Sequence, residues 1–324
     1  MAWSGELTAS CAISDSVTLD SDTSSTKTYT VSAFRAPKKG VYKFDLLGSG
    51  GRKRTDLSGS TGASISSGGA GGKTVGYLMM AAGETVYVGV GGPNSAAFVA
   101  RAEGENLASI AKEDLCFVAG GGGGGGAAYG QTHNMKSAAG GAGGGETGES
   151  GKRSVGGTSD TAAGGGTQEA GGTGGKTNGA YGSGAAGSHA YGDGGHGLGG
   201  SGGDGLYGGA SGNRGEGWAS GGGGGSGYVY ASELVVNGVT YTSQTQQGGG
   251  AESNTNGSVV IEYHAPGDLP IVFDGTRLTG LYYNGVEVKS LIFGGTKVFM
   301  RRCAAWLSRC TARAFGYRRA TPAW

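Results

Sequence analysis

The sequence predicts an all-β protein: an antiparallel β domain carrying a large insertion of packed polyglycine-II-type helices, followed by a small β-meander. Three observations lead there. Apolar and polar residues alternate in short runs on both sides of a glycine-rich block, the period-two signature of half-buried strands. Inside that block, residues 120–227, 48 of 108 residues are Gly and none is Pro. Beyond it, residues 271–300 repeat every ten positions with a turn pair in each repeat.

Composition narrows the alternatives. Of 324 residues 77 are Gly, charged residues make up 15%, and the net charge is +1. Such a glycine excess ordinarily marks low complexity. Disorder, however, goes with high net charge and few aromatic residues, and this chain has 15 Tyr, 8 Phe and 4 Trp, many in strand-like runs. The near-neutral balance gives no reason to expect whole-protein attraction to nucleic acid or to a membrane surface. The opening MAWSGELTASCAISDS lacks a basic n-region and an apolar h-region, so no secretory leader is expected. No apolar run approaches the roughly 18 residues of a bilayer span, which predicts no membrane insertion. Cys11, Cys116, Cys303 and Cys310 are too sparse for a disulfide framework and lack zinc-ligand spacing. They read as free thiols of a protein made in a reducing compartment.

Along the chain, residues 1–25 are Ser/Thr/Asp-rich and read as an irregular or attachment segment. Tyr29, Val31 and Ala33 alternate, as do Tyr42, Phe44 and Leu46, with the turn APKKG between them. Val75, Tyr77 and Met79, the turn AAGE, and Val86, Val88 and Val90 repeat the pattern. Residues 93–114 are ambiguous, with ENLASIAKE as a short helix. LCFVAG then feeds seven consecutive glycines, Gly120 to Gly126. After the block come GYVYASELVVNGVTYTSQ, a hairpin turning at Asn237-Gly238, and the strand GSVVIEYH. The glycine domain is thus expected over 26–264.

Between two strands of one domain, a 108-residue flexible linker would be unusual. Collagen requires a strict glycine triplet and proline. Polyproline-II-like helices have three residues per turn and no internal hydrogen bonds, so packed glycine helices can satisfy one another's main chains. GGAGGG, GGTGG and GGGGGSG fit helices of a few turns, and QTHNMKSAA, KRSVGGTSDT and SGNRGEGWA fit their connecting loops. Scaffold positions Gly120, Gly122, Gly124 and Gly126 should then reject a Cβ, and valine at Gly122 or Gly124 should disrupt folding.

The succession YTVSAFRAPKKGVYKFDLLGSGG, GGAGGKTVGYLMMAAGETVYVGVGG, FVAGGGGGGGAAYG and GSVVIEYH resembles the glycine-rich domain of the anaplastic-lymphoma-kinase receptor type, as found also in glycine-rich proteins of phage and prophage tails. The resemblance implies a jelly-roll-like antiparallel β-sandwich with an inserted polyglycine-II-type helix bundle over about residues 26–264. The receptor kinases are secreted and cysteine-bearing, and no hormone-binding motif of theirs is present here.

Residues 265–300 form the second part. IVFDGTRLTG, LYYNGVEVKS and LIFGGTKVFM align, and Asp274-Gly275, Asn284-Gly285 and Gly294-Gly295 are preferred pairs for two-residue hairpin turns. The expected meander has strands 271–273, 276–283, 286–293 and 296–299. It resembles short repeats ending phage tail and baseplate-associated proteins, and so small a module needs a cover, which implies docking or a homotrimer. Residues 301–324 carry six Arg and no acid. They read as an extension without a fold motif, a nucleic-acid role being the alternative.

No nucleophile–base pair, paired carboxylates or GxSxG is present, so neither enzymatic activity nor a cofactor is expected. AGGTGGKT (170–177) and SGGAGGKT (67–74) approximate a phosphate loop but lack its strand-loop-helix setting. His189 and His196, with Asp193 between them, lack a metal site's constrained spacing. What remains is aromatic and imidazole side chains among glycines: Tyr129, His133, Tyr181, His189, Tyr191, His196, Tyr207 and Trp218. Aromatic anchors framed by small residues have the composition of a binding surface; the alternative is rim packing over the glycine helices. The expectation is a phage or prophage tail protein presenting loops to a host surface glycan or protein, resembling in logic the tip adhesins of T-even-type phage fibres. It would be assembled in the bacterial cytoplasm into the virion with other tail or baseplate proteins. The alternative is a bacterial surface or matrix-type module without a viral role. Ice binding would need regular Thr arrays, which are absent.

Overall fold

The computed structural model describes residues 29–53, 63–130, 135–154, 161–192, 195–215, 217–264, 271–273, 276–278, 282–283, 286–287, 290–293 and 296–300. The segments expected at 1–25 and 301–324, with Cys11, Cys303 and Cys310, lie outside them.

The first strands are β1 (Tyr29–Arg35), β2 (Gly40–Leu47), β3 (Ser64–Ile65), β4 (Lys73–Met80), β5 (Thr85–Gly91) and β6 (Ala97–Ala100). Two 3-10 turns, Leu107–Ser109 and Lys112–Asp114, precede β7 (Leu115–Ala119). The glycine block holds only short strands: β8 (Ala127–Tyr129), β9 (Lys136–Ser137), β10 (Ser188–Gly192), β11 (Gly195–Gly199), β12 (Arg214–Gly215) and β13 (Trp218–Ala219). Then come β14 (Tyr228–Val229), β15 (Glu233–Val236), β16 (Val239–Thr242), β17 (Gln244–Gln246) and β18 (Ser258–His264). The chain ends its described part with β19 (Ile271–Phe273), β20 (Thr276–Leu278), β21 (Tyr282–Tyr283), β22 (Val286–Glu287), β23 (Ser290–Phe293) and β24 (Thr296–Met300). The protein is all-β, built of several antiparallel sheets, with no α-helix among the described residues.

Two compact units emerge: one runs to Leu234 and includes Thr240–Tyr263, the other comprises Val235–Val239 and the chain from His264. In the first, the larger sheets have the orders β1-β5-β6-β7-β14 and β17-β4-β2-β18. The turns APKKG and AAGE do not close hairpins. β1 pairs with β5 from Tyr29↔Gly91 to Arg35↔Thr85, and β2 pairs with β4 from Gly40↔Met80 to Leu47↔Lys73. Each turn hands the chain from one sheet to the other. One apolar cluster draws on both sheets, with Tyr42, Phe44 and Leu46 of β2, Val86 and Val88 of β5, Phe117 of β7, and Val259 and Ile261 of β18. Phe44 and Phe117 sit 5.8 Å apart. Gly76 leaves room for the Phe117 ring, which a Cβ there would approach to 2.2 Å.

Two local expectations change. β6 falls in the ambiguous stretch; all four of its residues are buried, so no alternation betrays it. The expected short helix in 105–113 is two 3-10 turns, the first capped by Asn106, whose side chain accepts from the Ser109 N–H. The Asn237-Gly238 turn is as expected, with φ of 51° and 78°, the left-handed pair of a type I′ hairpin between β15 and β16. In the second unit, Phe273↔Thr276, Tyr283↔Val286 and Phe293↔Thr296 flank two-residue connections at the three expected places. They belong to three two-stranded sheets. The turn residues Asp274, Gly275, Asn284, Gly285, Gly294 and Gly295 lie outside the described residues.

The glycine block is held by its main chain. The N–H groups of Gly121 and Gly124 donate to Asp204 and Ser201; those of Gly122 and Gly125 to Ser49 and Arg52; those of Gly123 and Gly126 to Gly141 and Ala138. Every third residue therefore meets the same neighbour. Two further segments donate back in the same rhythm: Gly72, Gly69 and Ser66 to the carbonyls of Gly120, Gly123 and Gly126, and Gly225 and Gly222 to those of Gly121 and Gly124. A side chain completes the surround, since Asn94 Nδ2 donates to the Gly122 carbonyl at 2.9 Å. All of Gly120–Gly126 is buried. A Cβ on Gly120, Gly122 or Gly126 would fall 2.2, 2.2 or 2.5 Å from a neighbouring carbonyl oxygen. Gly124 differs. Its Cβ would meet Ser201 N at 3.1 Å and Asn94 Nδ2 at 3.4 Å, the looser corner where a side chain replaces a backbone neighbour.

A polar knot joins this glycine core to the sheets. The Tyr29 hydroxyl donates to buried Asp204 Oδ2 at 2.8 Å and accepts from the Ala96 N–H at 3.1 Å. Asp204 Oδ1 accepts from the Gly184 N–H at 2.7 Å. Burial, then the Asp204 charge, pushes the Tyr29 hydroxyl well above its usual range. The neutral phenol is the form the fold binds. Its contribution is therefore present below about pH 10 and is lost as pH rises beyond that.

Two outcomes follow. Gly122→Ala should cost about 2 kcal/mol or more, because backbone on both sides leaves the methyl no escape. Gly124→Ala should cost under about 1 kcal/mol, because loss of unfolded-state freedom offsets mild crowding. Denaturant titration of both variants decides. Tyr29→Phe should cost about 1–3 kcal/mol at neutral pH by removing a hydrogen bond to a buried carboxylate. It should also flatten the loss of stability above pH 10, read from urea midpoints at pH 8 and pH 11.

Candidate functional site

The glycine core has two ends. Gly48, Gly72, Gly120, Gly144 and Gly225 are bonded at one level, where the chain joins β2, β4, β7 and β14. Arg52, Ser66, Gly126, Ala138, Lys152 and Ala219 are tied at the other by Gly125 N to Arg52 O, Ser66 N to Gly126 O, Gly126 N to Ala138 O, Ala138 N to Ala219 O and Lys152 N to Ala139 O, with Gly221 N to Lys152 O. At this far end the chain continues into two small sheets, β10-β11-β8-β3 and β12-β13-β9. Hydroxyls link them: Ser137 Oγ lies 3.0 Å from Ser64 Oγ and 2.9 Å from Ser66 Oγ.

These sheets gather part of the aromatic set. Tyr191, His196 and Tyr129 are in register across β10, β11 and β8. The rings of Tyr129 and His196 stack at 4.8 Å with a 32° tilt, both half-buried. His189 stands two residues away on β10, opposite Leu198. Trp218 on β13 lies over Gly215, where a Cβ would come 2.2 Å from its Nε1. Gly217, with φ of 69°, turns the chain between β12 and β13 beside the Met135 sulfur. His133 lies outside the described residues, as do the side chains of His189 and Tyr191.

Tyr181 and Tyr207 belong to the opposite end. Tyr181 donates its hydroxyl to the Ile110 carbonyl at 2.8 Å and packs edge-on to Tyr207 at 5.7 Å. Both lean on a cluster of Phe98, Leu107, Ile110, Leu115 and Leu206. Burial first, then Glu113, pushes the Tyr181 hydroxyl up to about 12. These two are rim packing over the core. The eight aromatic and imidazole candidates are thus not one constellation.

Charged and small groups complete the far end. Lys136, Lys152 and Arg153 are exposed, Arg52 and Arg214 half-buried. Lys152 pairs with Glu149, and that hydrogen bond holds the Glu149 carboxyl below its usual range. Arg214 was not singled out from the sequence. Its Nε is buried and has no hydrogen-bond partner among the described residues; the run Asn213-Arg214-Gly215 carries no sequence mark of such a position.

The phosphate-loop look-alikes spend several of their main-chain donors within the core. Gly172 N and Lys176 N go to Gly208 O and Ser211 O, and Gly69, Gly71 and Gly72 N to Gly123, Ala251 and Gly120 O. Neither is followed by a helix. Among the described residues no group of three or more His, Cys, Asp or Glu could hold a metal ion, and no helix is long and apolar enough to cross a membrane. Cys116 is a free, buried thiol pushed up to about 11 by desolvation. No protein-family model matches the chain, and no curated protein matches it.

The two ends should respond differently to truncation. Tyr181→Ala should cost about 2 kcal/mol or more through lost packing and a stranded carbonyl. Tyr129→Ala, at the far end, should cost under about 1 kcal/mol, as surface changes usually do. Thermal melts of the two variants check this.

Proposed function

We propose that the chain is a non-enzymatic structural and receptor-binding protein of a phage or prophage tail. In this reading the two larger sheets are layers of a jelly-roll-like β-sandwich. The glycine core is an insertion of polyglycine-II-type helices, related to the glycine-rich domain of the anaplastic-lymphoma-kinase receptor type. The three-residue rhythm of main-chain bonds supports the helical part, because three residues per turn is that helix's repeat. The observation that carries the functional reading is the gathering of β3, β8, β9 and β10–β13 at one end of the core. Tyr129, His196 and Trp218 sit there, on a main-chain scaffold that needs none of their side chains. Loops and strand tips on a rigid support are where binding usually resides.

On this reading the partners are a host surface molecule at the far end and other tail or baseplate proteins elsewhere. The ten-residue hairpins serve docking or a homotrimer, since isolated two-stranded ribbons are marginal alone. The protein resides in the virion.

Labelled protein should bind some strains in a panel of bacteria. A Tyr129→Ala/Trp218→Ala variant with an unchanged melting temperature should lose at least about tenfold in cell binding, the size expected when central aromatic anchors are removed. Tyr181→Phe should bind like the parent. Equal binding by the double variant, measured by flow cytometry, would remove the far end from the receptor role.

A further inference from the structure

We infer that the far end takes a polyanionic cell-surface glycan, an inference that rests on the receptor-binding reading and names its ligand class. Six cationic residues stand at that end on four separate stretches of chain: Arg52 and Lys53, Lys136, Lys152 and Arg153, and Arg214. Their placement follows from the main chain. Arg52 O accepts from Gly125 N, and Lys152 N donates to Ala139 O. Ser154 Oγ donates to Lys136 O at 3.4 Å, and Arg214 is in register with Ala219.

Charge is unevenly divided. Among the described residues the far end has six Lys or Arg against one acid, Glu149, which pairs with Lys152. The other described residues of 29–263 have eight Lys or Arg against twelve Asp or Glu. A protein that is nearly neutral overall therefore turns a basic end outward from an acidic body. Such a field steers an anion to that end. Arg214 adds a local sign: its Nε is buried with no hydrogen-bond partner among the described residues, and a guanidinium suits carboxylate or phosphate.

The ligand class follows from the density of charge. Nucleic acid presents one phosphate per about 1.7 Å of duplex and selects strongly basic domains. An excess of five cations, spread among half-buried rings, fits a sparser polyanion. In an acidic glycan, charged groups alternate with sugar faces that can lie on Tyr129 and Trp218.

The probe is dextran sulfate, with neutral dextran and a single-stranded DNA oligonucleotide as comparisons, on the full chain by surface plasmon resonance. Dextran sulfate should bind, and binding should weaken about tenfold when ionic strength rises from about 0.05 to 0.3 M. Lys136→Ala/Lys152→Ala/Arg214→Ala should weaken it at least about tenfold, while Lys38→Ala/Lys39→Ala at the sheet end should change it less than about twofold, since single charge contacts at a ligand site matter more than remote ones. Equal loss in both variants, equal binding of neutral dextran, or tighter binding of the oligonucleotide would overturn the inference. If the triple variant loses dextran sulfate but keeps binding cells, the receptor-binding reading stands and the polyanion is not its ligand. If it keeps dextran sulfate binding, the basic end itself is excluded.

Discussion

The structure depends on hydrogen bonds between main chains that have no side chains to keep them apart. Ordering one residue costs roughly 1–2 kcal/mol in backbone freedom, more for glycine. A hydrogen bond returns about 0.5–1.5 kcal/mol net. The bonds alone do not offset the ordering of a run such as Gly120–Gly126. Close contact supplies the remainder. Carbonyl oxygens lie about 2 Å from where a Cβ would stand at Gly123, Gly222 and Gly224, so each glycine gains dispersion contacts that any larger residue would forfeit. The flanking strands supply a second part. Gly120 continues β7 and Gly225 approaches β14, and β7 and β14 pair through Val118↔Tyr228. The sheets fix both ends of the glycine path and reduce the freedom left to lose.

Where the glycine segments run out, side chains imitate them. Asn94, with φ of 71°, receives the Arg52 N–H on its Oδ1 and gives its Nδ2–H to the Gly122 carbonyl. Its own backbone receives from Asp204 and donates to Gly50. One residue between β5 and β6 thus does for the core what a further glycine strand would do. Tyr29 and Asp204 extend the same substitution to β1. The polar residues at this junction are buried because they replace backbone, which explains Ser49 beside them: its Oγ donates to the Ser95 carbonyl at 2.6 Å.

Legibility in the sequence divides along the same physical line. A strand with one buried face can announce itself through alternation: β2 reads buried and half-buried in turn from Tyr42 to Leu47, with Tyr42, Phe44 and Leu46 buried. β4 alternates too, but the residues read as its apolar face, Val75, Tyr77 and Met79, are half-buried, and Thr74, Gly76, Leu78 and Met80 are the buried side. β6 did not, because AFVA is buried on every side. Asn237-Gly238 was legible because only such pairs adopt two positive φ values cheaply. APKKG and AAGE were legible as turns, but a turn does not state which sheet receives the next strand. In the glycine block, the partner of each residue is invisible, since glycine at every position carries no pattern.

The aromatic candidates make the point sharply. Ala128-Tyr129-Gly130 and Ala180-Tyr181-Gly182 are the same triplet, yet one tyrosine stacks on His196 at the far end and the other bonds Ile110 beside the sheets. Local chemistry cannot separate them. What separates them is the direction in which their segments traverse the core: 120–126 runs away from the sheets, whereas the chain after Gly175 runs back toward them until Gly182 meets Ala108. A scaffold made of main chain leaves the identity of side chains at its ends unconstrained by packing inside it. The same freedom that hides the site from a reading of sequence lets one end collect rings and cations while the other is sealed by tyrosines against the sheets.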